Sequence, residues 1–341
     1  MIIRPALFLL TCLCSSLSLA DDVLGQGDFR YRVVPGWGRG ALAQVSVKNG
    51  HALAFDAQGR LLFLTDDPKN NVVILDADTG ALIKHWTARM PGAHGMSLVT
   101  EGSREVLFIT DTQLHEVRKL TLEGQELAVY PWPEQARLHA SAKEYRPSKT
   151  VHFAHGDFCV FDGYGKDYIF HHKPDGSLLR WWGGNLGEGE NQLKHWGPHG
   201  GAVDARDPTN ARIIIAMSDQ QELKRFTVEG TFVDKIPMPG GNPRDVVIWG
   251  ENAVVPHLGD QWPKDRNSPG FISIVDRDWR VVSNIGAPPA FYKEDGALQP
   301  MESDKKTFIH PHAVAVDAAG NLYVAQFSSP AAPLLKLERV K

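Results

Sequence analysis

A short unit that recurs along the chain limits the fold more than any other feature of the sequence. One copy reads PHAVAVDAAGNLYVAQF and spans Pro311 to Phe327. It consists of a histidine, an apolar run, a turn rich in glycine or asparagine, and a second apolar run, which is the pattern of a β-hairpin. Copies of this pattern begin at His51, His94 and His199. The fold therefore has to be one that stacks repeated β units.

The repeats predict about six units, each of roughly 40 to 50 residues. The hairpin that begins at His51 is followed by NVVILDADTGALIKHW, a second strand–turn–strand pattern. A unit of four strands cannot bury its own faces, whereas a ring of such units can. The last unit lacks a fourth strand, which FRYRVVPGWG near the N-terminus can supply. The sequence thus predicts an all-β six-bladed β-propeller closed by an N-terminal strand. The alternative is a β-sandwich followed by a second β domain.

The N-terminal segment has the pattern of a secretory signal peptide. Arg4 precedes an apolar stretch rich in small residues, and Ser18-Leu19-Ala20 forms a small-x-small cleavage site. Residues 1–20 are therefore predicted to be removed, and residues 21–341 are predicted to form a single propeller domain. We expect a secreted or periplasmic protein with no membrane span after removal of the signal.

Composition and cysteines narrow the possible partners. The formal net charge is −4, and no basic run is present, so we expect neither nucleic acid nor an anionic membrane surface as a partner. Cys12 and Cys14 fall in the signal segment, where a lipoprotein form is an alternative to the free secreted form. Cys159 lies in the apolar run DFCVFD and is predicted to be a buried thiol. The remaining partners are a small-molecule or peptide-derived substrate, or an extracytoplasmic protein.

Histidines occupy equivalent positions in alternate units. His94 (GAHGMSL), His199 (GPHGGAV) and His312 (HPHAVAV) each open the innermost strand of a unit. Innermost strands line the channel of a propeller, so these side chains are predicted to converge on its axis. Neutral imidazole is a good zinc ligand, and three histidines leave a position open for water or substrate. The prediction is a zinc site. The alternative is that each histidine caps its strand and bonds to water.

Other polar residues are predicted close to this axis. Arg244 has the corresponding place in the fifth unit, where it could bind an anionic substrate group or pair with Asp245. His51 belongs to an odd-numbered unit and is predicted to be a polar channel residue rather than a ligand. Tyr164, in DGYG, could act as a general base, because a nearby divalent cation lowers the pKa of a phenol. Alternatively it packs against a neighbouring blade. His257 is predicted at the surface or at the channel mouth.

The strand–turn pattern resembles NHL repeats, and the three histidines together with DGYG resemble the lyase domain of peptidylglycine α-amidating enzymes. PDGSLLRWWG followed by GPHGGAVD extends the similarity. The resemblance implies a six-bladed propeller with zinc bound by His94, His199 and His312. It also implies cleavage of a peptidyl-α-hydroxyglycine to a peptide amide and glyoxylate, with Tyr164 taking the proton of the substrate hydroxyl while zinc polarises that hydroxyl.

The chain departs from this family at substrate-binding positions. One family arginine is replaced within Ser218-Asp219-Gln220-Gln221, and another within Thr65-Asp66-Asp67. The acid that helps to bind calcium in the family is Ala313 here, which argues against a calcium site. Two functions therefore remain open: a zinc-dependent lyase that cleaves a carbon–nitrogen bond at a hydroxylated carbon, and a non-catalytic binding or scaffold propeller. A propeller lactonase is the least favoured reading, because histidines stand where acidic and amide ligands for calcium would be needed.

Overall fold

The repeated hairpins form six antiparallel sheets, which are the six blades of a β-propeller. The computed structural model describes residues 22–259, 261–303 and 307–341, so the predicted signal peptide at residues 1–20 lies outside the described part of the chain. The six-bladed all-β fold predicted from the repeats is confirmed, and the alternative of a β-sandwich with a second β domain is wrong.

The chain begins outside the first complete blade and then builds the blades in order. Two strands and a short helix come first: β1 (Leu24–Gln26), β2 (Phe29–Val33) and α1 (Arg39–Leu42). Blade one contains β3 (Gly50–Phe55), β4 (Leu61–Thr65), β5 (Val72–Leu75) and β6 (Leu82–Trp86). Blade two contains β7 (Ala93–Glu101), β8 (Arg104–Asp111), β9 (Glu116–Thr121) and β10 (Glu126–Pro131). Short 3₁₀ segments follow at Glu134–Ala136 and Ala142–Glu144.

The next three blades repeat this order. Blade three contains β11 (Lys149–His152), β12 (Phe158–Phe161), β13 (Tyr168–His172) and β14 (Leu178–Gly183). Blade four contains β15 (Pro198–Asp204), β16 (Arg212–Met217), β17 (Glu222–Thr227) and β18 (Phe232–Pro237). Blade five contains β19 (Val247–Trp249), β20 (Asn252–His257), β21 (Pro269–Val275) and β22 (Val281–Ile285), and β23 (Phe308–Ile309) pairs with β21. In the described residues, no helix has the length and hydropathy needed to span a bilayer.

The sixth blade joins the two ends of the chain. It contains β24 (Pro311–Val316), β25 (Leu322–Gln326) and β26 (Leu334–Val340), and β2 then pairs antiparallel with β26. The closing strand predicted from FRYRVVPGWG is therefore confirmed. Strand β1 pairs with the outer side of β2, so this blade has five strands. Tyr31, on the closing strand, is fully buried, which anchors the junction by removing a large apolar surface from water.

Apolar side chains fill the spaces between neighbouring blades. Strands two and three of a blade are covered on both faces, which explains continuous apolar runs such as LLFL in β4, whose four side chains are fully buried. Between blades three and four, Cys159 packs in one cluster with Phe161, Ile213 and Ile215. Cys159 is a buried free thiol, as predicted, and burial raises its pKa well above the ordinary value.

His257 lies inside blade five, so its predicted place at the surface or the channel mouth is wrong. The ring is fully buried, its Nε2 is 3.0 Å from the hydroxyl oxygen of Ser273, and it stacks on Phe271 with a centroid separation of 4.4 Å. The sequence VVPHLGD resembles a loop, but the strand β20 continues through this histidine. Burial lowers the pKa of His257 to about 3.

The buried His257 makes a pH-dependent contribution to stability that a substitution can isolate. As the pH falls below 6.5, the ordinary pKa of histidine, the unfolded chain takes up a proton that folded His257 accepts only near pH 3. Folding therefore loses about 1.4 kcal/mol per pH unit in this window. We expect the difference in free energy of unfolding between the wild type and His257→Gln to narrow by about 2 kcal/mol from pH 6.5 to pH 4.5.

Urea unfolding of the two proteins at several pH values measures this difference. His155→Gln is the control, because the His155 side chain is 64% exposed. A difference between wild type and His257→Gln that stays constant over this pH range would contradict the interpretation.

Candidate metal centre and adjoining cavity

The innermost strands bring the three predicted histidines together. The ring centroids of His94 and His199 are 4.7 Å apart, those of His199 and His312 4.7 Å, and those of His94 and His312 4.9 Å. All three side chains are buried. They form a nearly equilateral triangle, as expected if blades two, four and six contribute equivalent positions around one axis.

Backbone carbonyls of the following blades orient these rings. In each case the ring Nδ1 is the donor, because a carbonyl oxygen can only accept. The pairs are His94 with Ser148 (2.8 Å), His199 with Arg244 (2.7 Å) and His312 with His51 (2.8 Å). The tautomer is thereby fixed and Nε2 is left as the ligand atom, which is the usual arrangement around metal-binding histidines. The Nε2 of His199 is buried and has no hydrogen-bond partner among the described residues.

Glycine after the histidine allows the close approach of these carbonyls. A Cβ on Gly95 would collide with the carbonyl oxygen of Ser148, and a Cβ on Gly200 would collide with that of Arg244. Packing therefore explains the His-Gly pairs at 94–95 and 199–200, because a Cβ at either glycine would collide with the carbonyl that holds the ring.

The structure adds His51 to the candidate ligands. Its ring centroid is 4.8 Å from that of His94 and 4.9 Å from that of His312. The ligand atoms of His51, His94 and His312 all lie within 4.8 Å of one another, so this buried cluster could bind a metal ion. From the sequence, His51 is predicted to be a channel residue rather than a ligand, because it belongs to an odd-numbered blade. That reasoning was incomplete, because the innermost strands converge so tightly that adjacent blades bring their histidines as close as alternate blades do.

Burial keeps the clustered rings uncharged. It is the main cause that lowers the pKa of His94, His199 and His312 well below 6.5. The positive charge of Arg244 lowers the pKa of His199 further, and the neighbouring His51 ring lowers the pKa of the other two. These rings are therefore neutral at neutral pH, which is the form that binds metal. Several neutral imidazoles with free Nε2 atoms suit zinc and similar divalent ions.

Tyr164 lies beside this cluster, where the sequence predicted a residue near the channel mouth. Its hydroxyl is 3.1 Å from Nε2 of His94, and its ring is 5.5 Å from that of His199. The DGYG turn is held by Asp162, which accepts backbone N–H groups from Arg146 and Lys166 at 2.7 and 2.8 Å. Burial raises the pKa of Tyr164, and the nearby arginines act in the opposite direction. In the protein alone the hydroxyl is therefore protonated at neutral pH.

Arg244 is buried without a carboxylate partner among the described residues. It is 3% exposed, and its Nε has no hydrogen-bond partner within residues 22–259, 261–303 and 307–341. Burial lowers its pKa below the ordinary value. The predicted alternative, a pair with Asp245, is not formed, because Asp245 binds Nζ of Lys149 at 2.7 Å. A buried guanidinium that lacks a counter-ion favours binding of an anion from solution.

A cavity of about 240 Å³ connects the histidine cluster, Tyr164 and Arg244 to solvent. Arg146, which the sequence analysis missed, lines it with its guanidinium 6.0 Å from the Tyr164 ring. Asp66 also lines the cavity, and its Oδ2 is 3.4 Å from Nε2 of His51. Burial alone would raise the pKa of Asp66, but hydrogen bonds from His51 and Asn49 outweigh it and lower the pKa to about 2.

Aromatic side chains form the apolar walls of this cavity. Trp196 lies 5.5 Å from the Tyr164 ring, and Trp262 lies 5.1 Å from the ring of Phe327. Trp196 and Trp262 come from the connections 184–197 and 259–268, which carry no strand pattern. The length of these two connections was the signal in the sequence that could have located the tryptophans, since long connections at one end of a propeller can cover the channel mouth.

The comparisons with known proteins support the fold. The chain matches no known protein family, and no curated protein shows significant similarity to its sequence. A gluconolactonase from Xanthomonas campestris is 15% identical, with a TM-score of 0.59 and coverage of 98% of this chain and 99% of that one. A luciferin-regenerating enzyme is 12% identical (TM-score 0.55, coverage 87% and 94%). Virginiamycin B lyase from Staphylococcus aureus is 10% identical (TM-score 0.53, coverage 87% and 98%). The chain is thus similar in fold to six-bladed propeller enzymes whose reactions differ from one another.

Proposed function

We propose that this protein is a zinc-dependent lyase-like enzyme that acts at a hydroxylated carbon next to a carboxylate, in a small or peptide-derived substrate. The observation that carries the proposal is the convergence of three kinds of group on one cavity. These are neutral imidazoles whose Nδ1 atoms donate to backbone carbonyls, the Tyr164 hydroxyl 3.1 Å from Nε2 of His94, and Arg244, which has no carboxylate partner among the described residues. A cation site, a proton carrier and an anion site within one small cavity suit a substrate that has both a hydroxyl and a carboxylate.

The histidines at 94, 199 and 312 would hold the metal, with His51 beside them. The donor set fits zinc, and a zinc ion there would polarise the substrate hydroxyl. Tyr164 is placed to exchange a proton with that hydroxyl. In the reaction implied by the family resemblance, the hydroxyl proton leaves, the C–O bond becomes a carbonyl, and the C–N bond breaks. The amide nitrogen takes up a proton, so the products are a peptide amide and glyoxylate.

Arg244 and Arg146 would bind the substrate carboxylate. Neither has a carboxylate within ion-pair distance in the described part of the chain, and both line the cavity. A bound carboxylate would offset the cost of burying Arg244 and would accept charge-assisted hydrogen bonds from both side chains. These arginines come from blade five and from the segment before blade three. The family arginines missing at Thr65–Asp67 and Ser218–Gln221 could therefore be replaced from other blades.

The aromatic walls complete the proposed binding mode, because Trp196, Trp262 and Phe327 offer apolar surface to the remainder of the substrate. The signal pattern at residues 1–20 supports action outside the cytoplasm.

Metal analysis and a product assay test the proposal together. After folding with zinc supplied, we expect about one metal ion per chain and release of glyoxylate from a peptidyl-α-hydroxyglycine. Metal without glyoxylate would reject this reaction and keep the metal centre. Absence of metal would reject the enzyme and favour the non-catalytic scaffold, which is the second function that the sequence left open.

A further inference from the structure

We propose that the ion pair between Lys149 and Asp245 is a positioning clamp that sets the separation of His94 and His199. The proposal builds on the proposed function, because it concerns the same histidines. Nζ of Lys149 is 2.7 Å from Oδ2 of Asp245, and the two side chains are 15% and 10% exposed. Lys149 begins the innermost strand of blade three, and Asp245 precedes that of blade five. The bond therefore spans blade four and joins blades three and five, which are not neighbours in the ring.

Each end of this ion pair is one residue from the carbonyl that holds a histidine. Ser148, directly before Lys149, accepts Nδ1–H of His94 at 2.8 Å. Arg244, directly before Asp245, accepts Nδ1–H of His199 at 2.7 Å. The Lys149–Asp245 bond therefore fixes the distance between the carbonyl oxygens of the two preceding residues. Because these oxygens hold the rings of His94 and His199, the bond also fixes the distance between the two rings. His312 is held by the carbonyl of His51, which adjoins neither end.

Further hydrogen bonds tie blade four into the same clamp. Oδ1 of Asp245 accepts the backbone N–H of Gly201 at 2.9 Å, two residues after His199. The Ser148 hydroxyl donates to the carbonyl of Pro198 at 3.0 Å, directly before His199. The backbone on both sides of His199 is therefore held by Asp245 and by Ser148, the residue directly before Lys149.

Little space is left around the clamp. The ion pair and the clustered histidines border a cavity of about 10 Å³, which is room for roughly one water molecule. Water cannot easily take the place of the lysine ammonium there. Loss of Lys149 should therefore let the two carbonyls move and leave a charge on Asp245 that only backbone N–H groups offset.

The test replaces Lys149 with methionine and follows the ring Nδ1–H protons of the histidines by NMR in the metal-free protein. We expect the signals of His94 and His199 to shift and to exchange with water at least about tenfold faster, and that of His312 to stay unchanged. Lys224→Met is the control, because Lys224 is a lysine with a 5% exposed side chain whose Nζ bonds to the backbone carbonyls of Glu190 and Gln192 and to the Glu190 carboxylate. Unchanged signals, or equal changes in all three rings, would overturn the clamp.

Zinc titration gives a second readout. We expect Lys149→Met to bind zinc ten- to a hundredfold more weakly than the wild type, as is usual when groups behind metal ligands are lost, and Lys149→Arg to recover most of the affinity. If Lys149→Met does not fold, Asp245→Asn weakens the ion pair while keeping Oδ1 as an acceptor for Gly201, and the same NMR comparison applies. If the wild type binds no zinc, the proposed function fails. The NMR signals of the ring Nδ1–H protons in the metal-free protein still test the clamp.

Discussion

The substitution His199→Ala is expected to remove the bound metal, whereas His51→Ala is expected to retain it. Like His94 and His312, His199 donates from Nδ1 to a carbonyl of the next blade, and in the described part of the chain its buried Nε2 has no hydrogen-bond partner. Nδ1 of His51 has no hydrogen-bond partner among the residues that the structure describes, and its Nε2 is 3.4 Å from the carboxylate of Asp66. Loss of a direct ligand should weaken binding by more than the 10- to 100-fold typical of groups behind the ligands.

Elemental analysis of the two variants, each checked for native circular dichroism, measures this difference. His94→Ala is the positive control, because His94 belongs to both possible sets of three histidines. The reverse result, with metal lost from His51→Ala and kept by His199→Ala, would assign the site to His51, His94 and His312 instead.

The second large effect is expected for Tyr164→Phe, which removes one hydroxyl and keeps the ring. Its rate of product formation should fall by about 10²–10⁴-fold, the usual contribution of a positioned acid or base. Its metal content should be unchanged, because the ring still packs edge-on against those of His94 and His199 at 5.0 and 5.5 Å.

Tyr168→Phe is the matched control for this measurement. Tyr168 belongs to the same blade and does not line the cavity. Product formation by Tyr164→Phe at the wild-type rate would exclude the proton-transfer role and leave the metal centre untouched. Loss of metal from this variant would assign Tyr164 to the support of the site.

The features predicted from the sequence are those that repeat. The fold, the closing strand and the convergence of His94, His199 and His312 follow from equivalent positions in successive units. Arg146 and Trp262 could not be found in this way, because they lie in connections that occur once. The link between Lys149 and Asp245 joins residues 96 positions apart in non-adjacent blades, and no local pattern reports such a pair. For the same reason, the sequence could not show that Asp245 pairs with Lys149 and not with Arg244.

The closure of the ring also fixes when the fold can be completed during synthesis. Strand β2 is among the first segments made, and its partner β26 is the last strand, with Arg30 opposite Val340. Contacts this distant in sequence form slowly, because the intervening chain has to be ordered first. A nascent chain can assemble blades one to five as they emerge, but β2 has to wait for its partner until β26 (Leu334–Val340) is made. A chain released before β26 would leave one edge of β2 and one edge of β25 unpaired at the two ends of an open ring, where each edge could pair with other chains.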